Sequence, residues 1–353
     1  MSALEVSVLT PAEYPEWRAF VERSPDGCVY AQAEYLGALA AATQATFRIL
    51  AVRRAGEVVG GVALYEPPPT LHGQCAAPRL LLYYHGPLYA PYQGGYPSQR
   101  TARQLEVADA LLEALRAQRY DRIILKSRAT VSDVRAFVNA GWSAAPAYSY
   151  VVPLTDMRQQ WQRVESNLRR LIKRCADNDG LTFTEDADFS AFFRLHALTL
   201  GRRGVHTYLP EQAFRGFFAQ LHGAGLARLQ HARLPDGTAI ASQLVLLGAH
   251  PVCHTACAGM DPAYSRLGAT AFLRWRGFEA LAAQGYAGND LTDAALNSVT
   301  HFKAQLGGTL ETALVLTSPA SWRHRGVSAL EQAARLPRAA AGRLKRALQV
   351  KRA

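Results

Sequence analysis

Residues 301–317 read HFKAQLGGTLETALVLT. A helical turn carries Phe302 inward with Lys303 beside it, the pair Gly307-Gly308 breaks the helix, and Thr309 to Thr317 reads as a closing strand. Lysine is scarce: of 39 Lys and Arg residues only Lys126, Lys173, Lys303, Lys345 and Lys351 are Lys. An ammonium is compact, strongly hydrated and easily shifted in pKa, unlike a guanidinium, so the Lys at this turn is a candidate functional residue. The plain alternative is a solvated Lys at a helix end.

Working outward, Ser298 to Gln305 is expected to be a helix and Asn289 to Thr292 a short strand. Thr270 to Gln284 reads as a helix with Phe272, Leu273, Trp275, Phe278 and Leu281 as candidate core residues. Before it, Val252 to Gly259 extends the hairpin Arg228 to Leu247, which turns at Asp236-Gly237, a strong hairpin dipeptide. The same order stands earlier in the chain. Phe47 to Leu64 is two strands around Ala55-Gly56, followed by a Pro/Gly-rich loop from Pro67 to Pro78 and a strand region from Leu80 to Tyr89. Ala102 to Arg116 has helical spacing, Arg122 to Lys126 is a strand, Val131 to Asn139 a helix stopped at Gly141, and Ala147 to Leu154 a strand. Tyr120 and Tyr286, after the long helices, lie 166 residues apart, and Phe137 and Phe302, in the short helices, 165 apart. Such agreement points to one fold duplicated, each copy an α/β unit with a mixed sheet flanked by helices.

The expected organisation is a first domain over 1–155, a second over 156–320 that includes a helical insert at 156–222, and a basic amphipathic tail over 321–353. The insert holds a basic helix from Asp156 to Ala176, a strand from Leu181 to Glu185, and helices at Phe189–Leu200 and Gln212–Leu221 joined through GRRGVH (201–206).

The formal net charge is +11, and most of that surplus lies in the tail, where Arg323, Arg325, Arg335, Arg338, Arg343, Lys345, Arg346, Lys351 and Arg352 face Glu331 alone. The start, MSALEVSVLTPAEYPEW, has no basic region before an apolar run, and the most apolar window, 240–260, contains Gln243, His250, Pro251 and His254. The expectation is a soluble, cytoplasmic protein, with the tail as a means of peripheral contact at the inner face of the membrane. Of the cysteines (28, 75, 175, 253, 257), only Cys253 and Cys257 cluster, with no second ligand pair; buried free thiols and no metal are expected. There is no serine-nucleophile elbow, phosphate-binding P-loop or zinc motif.

A doubled strand–helix unit that closes on Phe302-Lys303 and Gly307-Gly308 resembles the FemAB-like transferases, built from two tandem GNAT-fold domains. The segments that carry the resemblance are SNLRRLIKRCADNDGLTF (166–183), RRGVH (202–206), AGMDPAYSRLGATAFL (258–273), Gly285 to Asp293, and the closing signature. It implies transfer of an acyl or aminoacyl group to an amine acceptor, in cell-envelope (peptidoglycan-related) or natural-product biosynthesis. The donor would be aminoacyl-tRNA or acyl-CoA, with no tightly bound cofactor, and Lys303 would sit in the active cleft. The chain departs from the family's peptidoglycan enzymes in three places: Ser24 to Phe47 has neither Lys nor Arg, Thr207-Tyr208 follows the Arg-Gly turn, and Thr292-Asp293 stands where Gly-Gly is usual.

Attack of an amine on an ester or thioester builds an oxyanion and releases a proton, so the chemistry needs fixed donors and a proton path. Lys303 is the candidate for the first role, and Asp290 and Asp293 for orienting the amine or relaying its proton; plain capping carboxylates are the alternative. His206 and His301 are possible bases by residue type. Arg203, His206, Tyr208 and Phe302 are the candidate substrate contacts, Arg203 and Tyr208 by resemblance only. For the donor, Arg266, Gly268 and Ala269 precede the long helix, where free N–H groups favour an anion. Arg170 and Lys173 on the basic helix can neutralise tRNA phosphates. Two other readings stay open: an acyl-CoA-dependent N-acetyltransferase, and a non-catalytic GNAT-fold protein docked on membrane or RNA.

Overall fold

The computed structural model describes residues 3–332; the tail expected over 321–353 lies outside the described residues from 333 onward. The first half runs β1 (Leu4–Val8), α1 (Tyr14–Arg23), α2 (Ala33–Thr43), β2 (Thr46–Arg54), β3 (Glu57–Glu66), β4 (Cys75–Ala76), β5 (Leu88–Tyr89), α3 (Pro97–Ala117), β6 (Arg122–Lys126), α4 (Arg135–Asn139) and β7 (Ser143–Pro153). Next come α5 (Met157–Arg163) and α6 (Ser166–Asp177). The second half then runs β8 (Thr182–Asp186), α7 (Phe189–Gly201), α8 (Glu211–Gly223), β9 (Ala227–Arg233), β10 (Ala239–Leu246), β11 (Val252–Met260), α9 (Ala269–Ala283), β12 (Gly288–Asp290), α10 (Ser298–Gln305) and β13 (Thr309–Thr317). A further helix occupies 322–332. No described helix is long and apolar enough to cross a membrane.

The duplication is plain in this order. β8, α7 and α8 repeat β1, α1 and α2, so most of the segment read as a helical insert opens the second copy. The part without a counterpart is α5 and α6. Turn chemistry sets both hairpins. Ala55 and Gly56 take φ of 50° and 84° between β2 and β3, the left-handed pair that a tight two-residue turn demands. Between β9 and β10, Gly237 has φ 86° and the Asp236 carboxylate accepts from the Thr238 N–H. Two expected elements are shorter than their patterns. Of 80–89 only Leu88–Tyr89 pairs as a strand, because Pro78 and Pro87 withhold ladder donors and Leu81 sits at φ 76°. The helix expected from Val131 begins at Arg135, since the Asp133 carboxylate accepts from the Arg135 N–H and holds the preceding residues in a turn.

A four-stranded sheet is ordered β1-β2-β3-β5, and a nine-stranded one β4-β6-β13-β7-β12-β11-β10-β9-β8. Each half therefore closes on the other half's last strand. β13 slots beside β6, while β7 pairs with β12 at its end and, over Ser143–Val151, antiparallel with the whole of β13. The cut at 155/156 in the sequence is not a cut in the sheet. The halves also share a core: Trp17, Phe20, Tyr30, Tyr35 and Leu36 of the first pack with Phe192, Phe214 and Phe217 of the second. Tyr35 meets Phe217 edge-on at 5.7 Å. β10 is buried along its whole length, as a strand covered on both faces must be.

Candidate active site

The site starts from a mismatch in strand length. β11 and β12 run parallel and pair only at Val252–Gly288, Cys253–Asn289 and His254–Asp290. β12 then ends, while β11 runs on to Met260. The strands part, and a cavity of about 550 Å³ opens in the V. Its walls come from β11, from α7 with the 202–208 turn, from α9, and from 291–303; Tyr83 reaches in from the first half. A depression of about 780 Å³ outside α7 is open and carries only exposed charges, Arg194, Arg202 and Glu211.

α10 brings Lys303 to this cavity. Asn297 caps the helix, its side chain accepting from the Val299 and Thr300 N–H groups. Six residues on, Lys303 reaches back across the V: its Nζ donates to the Thr292 carbonyl at 2.6 Å and to that of Asp293. An ammonium has three protons, so one remains for a ligand. Burial pulls the Lys303 pKa down from 10.5 to about 8; the Arg274 guanidinium adds to the fall, and Asp293 and Asp290 oppose it.

Asp290 lies beneath the cavity and does not line it. Its carboxylate accepts from Tyr84 Oη at 2.7 Å, from the Thr292 N–H at 2.7 Å and from the Ser149 hydroxyl. Burial alone would raise its pKa, but His254 Nδ1, 3.6 Å away, and these hydroxyl donors win and hold it well below the usual carboxylate range. The arrangement fixes an unusual turn. Thr292 has φ 54°, a conformation that costs a β-branched residue on the order of 1–3 kcal/mol. Asp290 holds its N–H and Lys303 its carbonyl, so the strained residue is clamped from both sides. Asp293, next in the chain, is exposed at the cavity rim, and its charge favours the ammonium of both Lys303 and Lys126.

Of the candidate site residues, Lys303, Asp293, Arg203, Tyr208 and Phe302 come together on the cavity wall. His206 and His301 are exposed and do not line it. Gly268, at φ 82°, caps the start of α9, and Ala269 is buried behind it. Arg266 points to solvent, as do Arg170 and Lys173 on α6. Other wall residues had no motif to flag them. Arg274 of α9, Ser242 of β10 and His196 of α7 line the cavity, are buried, and include polar atoms without a partner. Arg274 had one sequence signal: the α9 pattern ATAFLRWRGFEALAA is apolar on almost every side, leaving little solvent face for its charge. Burial holds the His196 pKa down to about 4, so the ring is neutral at physiological pH. Cys257 also lines the wall, but burial pushes its thiol far above the normal range, which removes it as a nucleophile. The other buried cysteines are free, and no group of His, Cys, Asp and Glu suited to a metal occurs among the described residues.

Parallel strands thus part over the first turns of α9, and the cavity between them takes in Lys303. The family model for the acetyltransferase (GNAT) domain matches residues 162–304, which contain every element of the V. Residues 162–304 carry a GNAT domain, and the chain as a whole has a tandem GNAT fold. Among solved structures it is similar to a FemX crystal structure, with a TM-score of 0.68 and 13% identity over 88% of this chain and 96% of that one. It is also similar to the C-terminal domain of a putative lysylphosphatidylglycerol synthetase from Agrobacterium fabrum (TM-score 0.58, 13% identity, 90% of this chain and 95% of that one). A tandem GNAT protein from the clavulanic acid biosynthesis pathway aligns with a TM-score of 0.53 and 14% identity over 90% of this chain and 100% of that one. At these identities the likeness is one of fold. No curated protein matches by sequence.

Proposed function

We propose that the V between β11 and β12 holds the acyl carbonyl of an ester or thioester donor next to an amine acceptor, and that Lys303 donates to the oxyanion as the amine attacks. The observation that carries this reading is the Lys303 ammonium: fixed by two main-chain carbonyls, with one proton left over, on the wall of a cavity that opens at α9. A donor fixed before reaction stabilises developing charge without reorganising. The attacking nitrogen bonds to the carbonyl carbon, the ester C–O or thioester C–S bond breaks, and the proton the amine gives up passes by way of solvent at the Asp293 rim to the departing alkoxide or thiolate. Asp290 and Phe302 position Lys303 and the Thr292 turn; Arg203 and Tyr208 contact the acceptor.

Donors of the two kinds considered, aminoacyl-tRNA and acyl-CoA, both carry phosphate, which suits the free N–H groups at the Gly268–Ala269 start of α9. Arg170 and Lys173, exposed on α6, extend a positive surface that favours tRNA. The similar structures include both a lipid aminoacyl synthetase domain and a natural-product tandem GNAT protein, and they support a place in cell-envelope or natural-product synthesis. The test is calorimetric titration of the full chain with acetyl-CoA and, separately, with charged tRNA at moderate salt, followed by transfer to an amine panel by wild type and Lys303→Met. Saturable binding of one donor, with transfer lost in the variant, is the expected result. Binding of neither donor overturns the proposal.

A further inference from the structure

α9 carries a charge that no described residue pairs with. Arg274 is buried, with 9% of its surface exposed, and makes no ion pair among the described residues. Its Nη1 is sealed from solvent without an acceptor. The groups that act on it electrostatically are the Cys257 thiol and Lys303, and no carboxylate is among them. Stranding an unpaired guanidinium in a protein interior costs several kcal/mol by the usual desolvation argument. Proteins hold such a group where a ligand supplies the counter-charge. Both cations line the one cavity in the V, and so do Ser242 and His196, buried polar side chains without partners. Their backbones lie close: Ser242 pairs with Gly259 across the sheet, and a Cβ on Gly259 would fall 2.5 Å from the His196 main-chain nitrogen. The rest of the wall includes apolar groups such as Leu200, Leu273 and Phe302, so the site favours a small organic anion.

We propose that Arg274, with the Lys303 charge on the same wall, forms a carboxylate subsite in this cavity, and that the acceptor amine is therefore one that also bears a carboxylate, an amino acid or a compound ending in one. This rests on the transferase reading above, and the chemistry of the donors directs it. In an aminoacyl ester the carboxyl is consumed in the ester, and a simple acyl thioester has none. The transferase reading above assigns the donor's phosphates to the helix start, six residues before Arg274. The carboxylate that a planar, bidentate guanidinium fits must then belong to the acceptor.

The test reads binding without turnover, so a chain that binds acids yet transfers nothing counts against the transferase reading and not against the subsite. Thermal unfolding of the full chain is followed with a panel of L-amino acids, with the matching amino acid amides, and with inorganic pyrophosphate as a probe of the helix start. At least one acid is expected to raise Tm by roughly 4 °C at a hundredfold excess over its Kd, and its amide by less than a quarter of that. Arg274→Gln is expected to abolish the response to the acid and keep the response to pyrophosphate. Without ligand, Arg274→Met is expected to melt no lower than wild type, because it removes an unpaired charge and keeps the buried stem. Equal responses to acids and amides, no response to any acid, a pyrophosphate response lost with Arg274, or a ligand-free Arg274→Met that melts well below wild type would each overturn the proposal.

Discussion

Lys303 offers the sharpest test of how this site works, because its ammonium has a pKa of about 8 and so titrates inside an accessible range. If the ammonium donates to the oxyanion, Lys303→Met loses one pre-organised donor, a change that typically lowers kcat by about 10²–10³, or roughly 3–4 kcal/mol. The wild-type rate should also turn down above pH 8, with a limiting slope near one decade per pH unit, as the amine form takes over. Lys303→Arg keeps the charge and cannot be deprotonated in this range, so its rate, though lower, should show no downturn there. The assay is single-turnover transfer from whichever donor binds, measured from pH 6 to 10 for the three proteins.

Unfolding supplies a control that is independent of catalysis. The folded pKa lies below the unfolded value of 10.5, so the unfolded chain binds more protons between about pH 8 and 10.5. Wild-type stability relative to Lys303→Met must therefore climb as pH rises through that window. A downturn that persists unchanged in Lys303→Arg, or a Lys303→Met rate within a few-fold of wild type, would refute the donor role. Lys303 would then serve only to hold the Thr292 carbonyl.

Two further predictions concern the support of the site. Asp290→Asn keeps the shape but cannot accept from three donors at once, and it should destabilise by about 1–3 kcal/mol in urea at neutral pH; since the carboxylate's pKa is held below its ordinary value, the wild-type advantage should be complete above that value and drain away as pH falls below it. Gly259→Ala would bring a methyl group within 2.4 Å of the Leu195 main chain, so it should push α7 off β11 at a cost of about 1–3 kcal/mol by urea unfolding, where an exposed Gly56→Ala should act only through its turn.

Much of the architecture could be read without coordinates because it rests on local rules. Asp236-Gly237 and Ala55-Gly56 specify their hairpins through backbone conformations that few residues accept, and apolar spacing marks α3 and α9. Spacings of 166 and 165 residues between matching aromatics exposed the duplication, and scarcity of Lys drew attention to Lys303. All of these signals lie within one element or repeat at a fixed distance. The misreadings were also local: prolines that break ladders around 80–89, and the Asp133 turn ahead of α4.

What tertiary structure alone decided depends on which distant groups meet. The exchange of β7 and β13 joins residues more than a hundred positions apart, and nothing in either strand's pattern names its partner. Asp290 looked like a candidate acid or base; burial against Tyr84, Ser149 and His254 makes it the clamp of the Thr292 turn. No motif singles out Arg274, and only packing places it buried on the cavity wall without an ion pair among the described residues. The sequence by itself thus determined the repeated α/β unit, through backbone propensity and hydrophobic periodicity, and singled out Lys303 as its candidate lysine. Burial and electrostatic partnership, which are properties of the packed chain, decided which charges face the cavity and which only hold it together.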